Sequence, residues 1–467
     1  MALLLCVDFG STFTKAVLVD SSGAVVATAA TRTTIDTDVL DGYHALCREL
    51  EPHGEVEEVL ACSSAGGGLR LAVVGYERDV TAQAGHRVGL SAGARVVHVA
   101  CGPMSGPDVA ALRASEPDLV LLVGGTDGGN AEVLLHNATR LAKARIGAPV
   151  VVAGNVEARP KVTAVLRSTG RHVSMADNVL PAIGVIAPES ARTAIRHAFL
   201  DHVIGGKGLS RGPRFAAMVQ APTPDAVLGG VEVLADLIDA DVMVVDIGGA
   251  TTDVYSALRP QGEDAGFAKD VVAPLWQART VEADLGMRWN AEGVVEAAGR
   301  EHLQVPDGLE AYAAHVAARP GHLPLDAGEH AFDLALARTA ALVAVRRHAR
   351  PPAQGSGPRP LADVRLVIGS GGVLRHASPQ ERDTVLGAVT TDHAGGWKVP
   401  RDAVTVTDAA YLVFAVGLLR EAHPEASRNL AAHLVAAVAG EIAGEVPEEV
   451  SGSEPGPLSV GGRSVAP

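Results

Sequence analysis

The sequence predicts an α/β protein built from two related lobes that face one cleft. Three stretches carry that prediction. Residues 3–19 (LLLCVDFGSTFTKAVLV) read as a β-hairpin: an apolar run ends in Asp8, the chain turns at Gly10-Ser11-Thr12, and a second strand follows. Residues 241–258 (DVMVVDIGGATTDVYSAL) repeat the design. Asp246 closes an apolar strand as Asp8 does, Gly248 follows two residues later as Gly10 does, and Thr252 stands six residues beyond the Asp as Thr14 does. A repeat of this kind implies two half-molecules built alike. The third stretch, residues 366–376 (LVIGSGGVLRH), is a strand entering a glycine-rich turn, which allows a flat ligand to approach the backbone closely.

The carboxylates are the unusual feature. Burying one at a strand end is costly unless a cation or donor meets it. The amides and hydroxyls of Gly10, Ser11 and Thr12 are groups that wrap phosphate oxygens.

Composition narrows the function classes. The 467 residues suffice for two or more domains, and 47% hydrophobic with 20% charged residues describes a globular protein. With only 3% aromatics, Val, Ala and Leu must build the cores. A net charge of −15 speaks against nucleic acid as the main partner and leaves room for a local basic groove at most. Cys6, Cys47, Cys62 and Cys101 form no C-x-x-C pair and read as reduced thiols rather than metal or cluster ligands. The N-terminus lacks a basic region and Asp8 interrupts its apolar run, so it does not read as a signal peptide. The late apolar run 409–419 is too short to span a bilayer. The expectation is a cytoplasmic protein without membrane contact.

In chain order, a turn at Ser21-Ser22-Gly23 leads to a strand over 24–33, a helix over 41–50 and a strand over 56–62. Residues 63–75 (SSAGGGLRLAVVG) read as a loop, because three consecutive glycines oppose a regular element; it either joins strands or faces a ligand or neighbouring domain. Strands over 95–100, 119–123 and 150–153 alternate with helical segments such as 131–144, the wiring of a parallel sheet. The loop 124–130 (GGTDGGN), with Asn130 as N-cap, is either an anion-contacting junction or an ordinary turn. A basic loop lies over 205–213. Pro224 and Asp225 start a helix of small residues containing Gly229-Gly230. Residues 279–290 (RTVEADLGMRWN) carry Glu282 and Asp284, read either as nucleotide or water contacts or as acidic residues at a solvated helix start. A helix with a basic end spans 330–347, a Pro/Gly linker spans 351–360, and Thr407 caps a further small-residue helix that includes Gly417. The acidic, Pro/Gly/Ser-rich tail from Glu445 reads as disordered.

The two Asp hairpins and the third glycine turn together resemble the phosphate-1, phosphate-2 and adenosine motifs of the actin, sugar-kinase and heat-shock-chaperone ATPase superfamily. The resemblance implies two actin-like ATPase (ribonuclease H-like) lobes with a nucleotide cleft between them. It places Mg²⁺ on Asp8 and Asp246 through waters, since Mg²⁺ dehydrates reluctantly. It places the β-phosphate at Gly10, Ser11 and Thr12, and the γ-phosphate at Gly248, Gly249 and the hydroxyl of Thr251 or Thr252. Gly371 and Gly372 lie against adenosine. Lys15 is adjacent, on a strand whose facing the sequence leaves open. Asp246 and Glu282 are the candidates for the water-activating base. The helices holding Gly229-Gly230 and Gly417 fall where the superfamily's interdomain helices lie.

Blocks outside those motifs narrow the family. SSAGGGLRLAVVG, LLVGGTDGGN, RTVEADLGMR and AYLVFAVGLL resemble the accessory protein of glutamate (methylaspartate) mutase, the GlmL/MutL family, over roughly residues 1–425. Gly66, where a second Ala is expected, and Ala283, where Gly is usual, depart from its pattern without touching the ATP motifs. The implied activity is a slow Mg-dependent ATPase that binds ATP and Mg²⁺ and reactivates or assembles an adenosylcobalamin-dependent mutase, whose subunits are the expected partners. Cobalamin itself is not expected to bind, because no D-x-H-x-x-G block is present. The implied domains are residues 1–235, a first lobe with a family-specific α/β insertion; 236–430, a second lobe; and 431–467, a C-terminal helix and tail. A sugar- or acetate-type kinase is the main alternative. An activator of 2-hydroxyacyl-CoA dehydratase type lacks cysteine spacing to support it, and an actin-like filament protein is disfavoured by the family blocks.

Overall fold

Short apolar strands and alanine-rich helices alternate through the computed structural model, which describes residues 2–77, 81–92, 94–205, 208–259, 277–351, 358–397 and 399–438. The first lobe begins with the expected hairpin, β1 (Leu3–Phe9) and β2 (Phe13–Asp20), followed by β3 (Val25–Arg32), α1 (Val39–Leu50) and β4 (Val56–Ser63). Asp38 caps α1 by accepting from the Leu40 amide. Because strand side chains alternate, Leu3, Leu5, Val7 and Phe9 enter the core on one face while Leu4, Cys6 and Asp8 face the other.

An inserted domain then supplies β5 (Arg70–Gly75), α2 (Gln83–Ser91), β6 (Arg95–Cys101), α3 (Gly106–Ala114), β7 (Leu119–Leu122), α4 (Glu132–Lys143), β8 (Val150–Val152), α5 (Arg159–Arg167), β9 (Val173–Met175) and α6 (Glu189–Ala198). Its five strands are all parallel, in the order β6-β5-β7-β8-β9, a doubly wound sheet that reverses direction between β5 and β7. The reading of 63–75 as one loop is corrected here. The glycines make the turn, but Arg70–Gly75 is a central strand of the insert, with Leu71 to Val74 fully buried.

The chain returns to the first sheet through α7 (Arg214–Met218) and β10 (Val219–Pro222), giving the order β10-β4-β1-β2-β3. Helix α8 (Thr223–Ile238) crosses to the second lobe. There follow β11 (Val242–Ile247), β12 (Thr252–Ala257), β13 (Gln277–Glu282), α9 (Ala291–Arg300), α10 (Leu309–Ala318), α11 (Ala327–Ala349), β14 (Leu366–Ser370), α12 (Gly372–His376), α13 (Pro379–Thr391), β15 (Val404–Thr407), α14 (Leu412–Ala422) and α15 (Pro424–Val435). The second sheet runs β13-β12-β11-β14-β15. Each lobe is therefore an antiparallel three-stranded meander extended by two parallel strands from its first strand, the related halves expected from the repeated hairpins. The α/β, two-lobed fold class is the one observed.

Helix α11 covers the outer face of the second sheet, and α8 and α14 pack between the lobes with Leu4, Cys6, Val242 and Val244 in one core. The crossing is close because both helices present glycine: a Cβ at Gly417 would overlap the Ala226 carbonyl, and one at Gly230 the Val413 carbonyl. The insert reaches this joint through α6. Arg192 pairs with Glu232 at 3.0 Å, and Arg196 bridges Asp225 at 2.7 Å and Glu421 at 2.8 Å. Arg420 completes the set with Glu232 at 3.1 Å.

The expected domain boundaries at 235/236 and 430/431 fall inside α8 and α15. Helix α15 packs into the interlobe core and reaches the first lobe, Asn429 Nδ2 donating to the Ser22 carbonyl at 2.8 Å. The acidic tail and residues 352–357 of the linker lie outside the described residues. Among the described residues no helix is long and apolar enough to cross a membrane.

Candidate functional site

Strand register brings the charged groups together. Asp8 on β1 is the direct cross-strand neighbour of Lys15 on β2, so both side chains share the face turned toward α8 and α14. Lys15 Nζ stands 3.8 Å from Asp8 Oδ2. Asp8 is 3% exposed and accepts from Thr223 Oγ1 at 2.5 Å and Cys62 Sγ at 3.6 Å. Burial pushes its carboxyl up, opposed by Lys15 and these two donors.

Asp246 ends β11 in the same way and is held by Ser370, its parallel neighbour on β14. Burial raises its pKa too; Lys15 pulls it down, while Asp253 and Asp8 push it up. Burial works against the charge on Lys15, but Asp8, Asp246, Tyr411 and Asp408 outweigh it and raise the ammonium's pKa. One cation from the first lobe thus sits within the field of carboxylates from both. The doubt about the facing of Lys15 is resolved by the hairpin register: it points into the cleft.

The two hairpin bends match as well. The Gly10 amide donates to the Phe13 carbonyl at 3.1 Å, and the Gly248 amide to the Thr251 carbonyl at 2.9 Å. Ser11 and Thr12 are exposed at the first bend. At the second, the Gly249 carbonyl accepts from the Arg288 and Trp289 amides, tying the bend to the segment after β13. Thr251 Oγ1 donates to Asp253 at 2.9 Å, whereas Thr252 is fully buried and donates to the Leu285 carbonyl at 2.6 Å. Of the two threonines, Thr251 is the one left at the bend. Gly371 has φ of +114° and lies so close to β11 that a Cβ would overlap the Ile247 carbonyl, which requires glycine there. Gly372 opens α12 beside it.

Of the two settings the sequence left open for Glu282, the helix start is excluded. Glu282 lies at the end of strand β13, opposite the buried Thr252. Arg347 on α11 holds it at 2.7 Å and holds Asp284 at 2.6 Å. Both acids therefore serve an ion-pair cluster on the α11 side of the sheet, while Asp246 stays on the cleft side.

Three cleft groups escaped sequence reasoning. Asp408, not Thr407, caps α14: its carboxylate accepts from the Leu412 and Val413 amides at 2.7 and 3.0 Å. Tyr411 adopts a left-handed backbone with φ of +57°, and its ring lies 4.1 Å from Lys15 Nζ and 5.0 Å from the Arg375 guanidinium. Asp253, the cross-strand neighbour of Asp246, forms a buried pair with Arg279 at 2.6 Å. The signal available for Asp253 was the register itself, since the residue opposite a strand-end Asp shares its face.

The oxygen set suits Mg²⁺ bound with phosphate. That ion is held by one or two carboxylates while the remaining positions go to water and phosphate oxygens. Among the described residues no three His, Cys, Asp or Glu side chains converge as a metal cage.

Comparison with known proteins identifies the family. The family model for MutL protein matches residues 4–435. Protein MutL of Clostridium tetanomorphum is 36% identical over 463 residues, covering 93% of this chain and 100% of that protein. Among solved structures, nucleotide-free acetone carboxylase aligns with a TM-score of 0.38 and 14% identity, over 89% of this chain and 69% of that one. A ROK-family glucokinase from Streptomyces griseus, in complex with glucose and AMPPNP, aligns with a TM-score of 0.32 and 13% identity, over 89% and 98%. The family match over residues 4–435 and the relative matched over its full length establish that this chain belongs to the MutL protein family.

Proposed function

We propose that this chain is a cytoplasmic, ATP- and Mg²⁺-binding accessory protein that reactivates or assembles an adenosylcobalamin-dependent mutase such as glutamate (methylaspartate) mutase. The observation that supports the nucleotide half is Lys15, 3.8 Å from Asp8 and within the field of Asp246, the strand-end carboxylates of the two lobes. Asp8 and Asp246 would hold Mg²⁺, the bends at Gly10–Thr12 and Gly248–Thr251 the phosphates, and Gly371 and Gly372 the adenosine. Bound Mg²⁺ would neutralise phosphate charge, and the chain's own groups position it. Membership of the MutL family supports the mutase half.

An ATP-driven two-lobed protein acts on a partner only if it binds that partner differently in its nucleotide states. The test is recovery of mutase that has been inactivated by turnover. Adding this protein, ATP, Mg²⁺ and fresh adenosylcobalamin is expected to restore activity, and omitting ATP is expected to abolish recovery. An unrevived mutase together with no nucleotide-dependent complex would overturn the reading and direct attention to a screen for phosphorylated small molecules.

A further inference from the structure

The chain is acidic overall, yet residues 140–171 of the insert carry seven Lys and Arg against a single acid, Glu157. The fold gathers part of that charge around a cavity of about 490 Å³. It lies at the N-terminal ends of β8 and β9, the sheet edge opposite the loop 124–130. Lys143, Arg145, Arg171 and His172 line it together with residues 146–148 and 169–170, and no acidic residue is among those lining it.

Arg171 is the informative residue. One end of its guanidinium donates to the Ile146 carbonyl, while Nε is buried without a hydrogen-bond partner. A cation withdrawn from water is costly unless an anion and hydrogen bonds compensate it. Burial accordingly works against its charge, with no neighbouring carboxylate to oppose the effect.

Helix ends account for some of these cations but not all. Helix α4 ends at Lys143 and α5 ends at Arg167, and basic residues at helix C-termini are favoured. Each helix end supplies only about half a negative charge, however. Lys143, Arg145 and Arg171 bring three positive ones, so a surplus remains.

We propose that this cavity binds a small molecule bearing phosphate groups, at a site separate from the cleft between the lobes. Its volume exceeds what one phosphate needs and falls within the range of about 300–1,000 Å³ for small-ligand pockets. The surplus charge matches a di- or triphosphate group. A turn of the Arg171 guanidinium toward the cavity gives its planar fork the anionic partner it lacks, and the exposed Lys143 and Arg145 close over the remaining charge.

Pyrophosphate is the probe, and the reactivity of Lys143 toward an amine-acetylating reagent, read by mass spectrometry on the full chain, is the measurement. Millimolar pyrophosphate is expected to slow Lys143 acetylation several-fold, both in the parent and in Lys15→Met, which separates this site from the cleft. Arg171→Gln is expected to abolish the protection. Arg145→Gln, at an exposed position that does not endanger folding, is expected to weaken it and to steepen its loss with added salt. Lys143 reactivity indifferent to pyrophosphate, protection lost in Lys15→Met, or full protection retained in both arginine variants would each overturn the proposal.

Discussion

Thr223 Oγ1 donates a hydrogen bond of 2.5 Å to Asp8 Oδ1. The bond joins the first residue of α8 to the carboxylate near the end of β1, so the helix that crosses between lobes holds a cleft carboxylate directly. Thr223→Val keeps the side-chain shape and removes the donor. Hydrogen bonds to charged groups contribute about 1.5–3 kcal/mol. Mg-ADP affinity is expected to fall about tenfold or more in Thr223→Val and to be largely kept in Thr223→Ser. Titration calorimetry checks this; a Val variant binding as the parent does would show that Asp8 acts independently of α8.

Asp246 and Glu282 are expected to separate by phenotype. Asp246→Asn removes a cleft carboxylate and should lose Mg-dependent ATP hydrolysis while remaining folded. Glu282→Gln instead breaks a partly buried pair with Arg347, which also holds Asp284. Its expected result is a lower thermal midpoint, by an amount corresponding to about 1–3 kcal/mol, with hydrolysis near the parent rate. Turnover and thermal unfolding measured on both variants decide the matter. A Glu282→Gln protein that is stable but inactive would restore Glu282 as the water-activating base.

Gly417 has no room for a side chain against the Ala226 carbonyl. Gly417→Ala therefore forces α14 away from α8, at a cost of about 1–3 kcal/mol for overpacking. In solution scattering, the parent is expected to change its profile on adding Mg-ATP, and the variant to respond less. Identical parent profiles with and without nucleotide would remove the case for lobe closure about this crossing.

The cleft was legible where the chemistry is local. A carboxylate such as Asp8 or Asp246 at the end of an apolar strand stands out in one dimension, and so does the glycine bend two residues later. What was hidden depends on pairing. Whether Lys15 faces inward is fixed by its register opposite Asp8, and Asp253 joins the cleft because it lies opposite Asp246. The setting of Glu282 is hidden because acidic residues before a Leu-Gly pair fit a helix start as well as a strand end; its partner Arg347 is 65 positions away. Strand β5 was concealed by the glycines before it, which mark the turn but say nothing about where the turn stops.

His348 predicts acid sensitivity. It is buried on α11 with Nε2 2.9 Å from Ser256 Oγ and Nδ1 3.0 Å from Thr280 Oγ1. Burial, with Arg359 nearby, holds its pKa well below the ordinary histidine value. The folded ring stays neutral while the unfolded chain takes up a proton from about pH 6.5 downward. Its contribution to stability is therefore full above that pH and is lost progressively below it, toward the depressed folded value. The thermal midpoint of the parent is expected to fall more steeply than that of His348→Gln between about pH 7.5 and 5.5. Parallel slopes would assign the acid sensitivity to other groups.

Arg196 binds Asp225 on α8 and Glu421 on α14 with a single guanidinium. Those two acids belong to different helices, so a scissoring of one past the other changes the span this side chain must bridge. Either a bond stretches, or α6 travels with the pair. Because α6 ends the inserted domain, this one side chain ties the five-stranded insert to both helices of the glycine crossing.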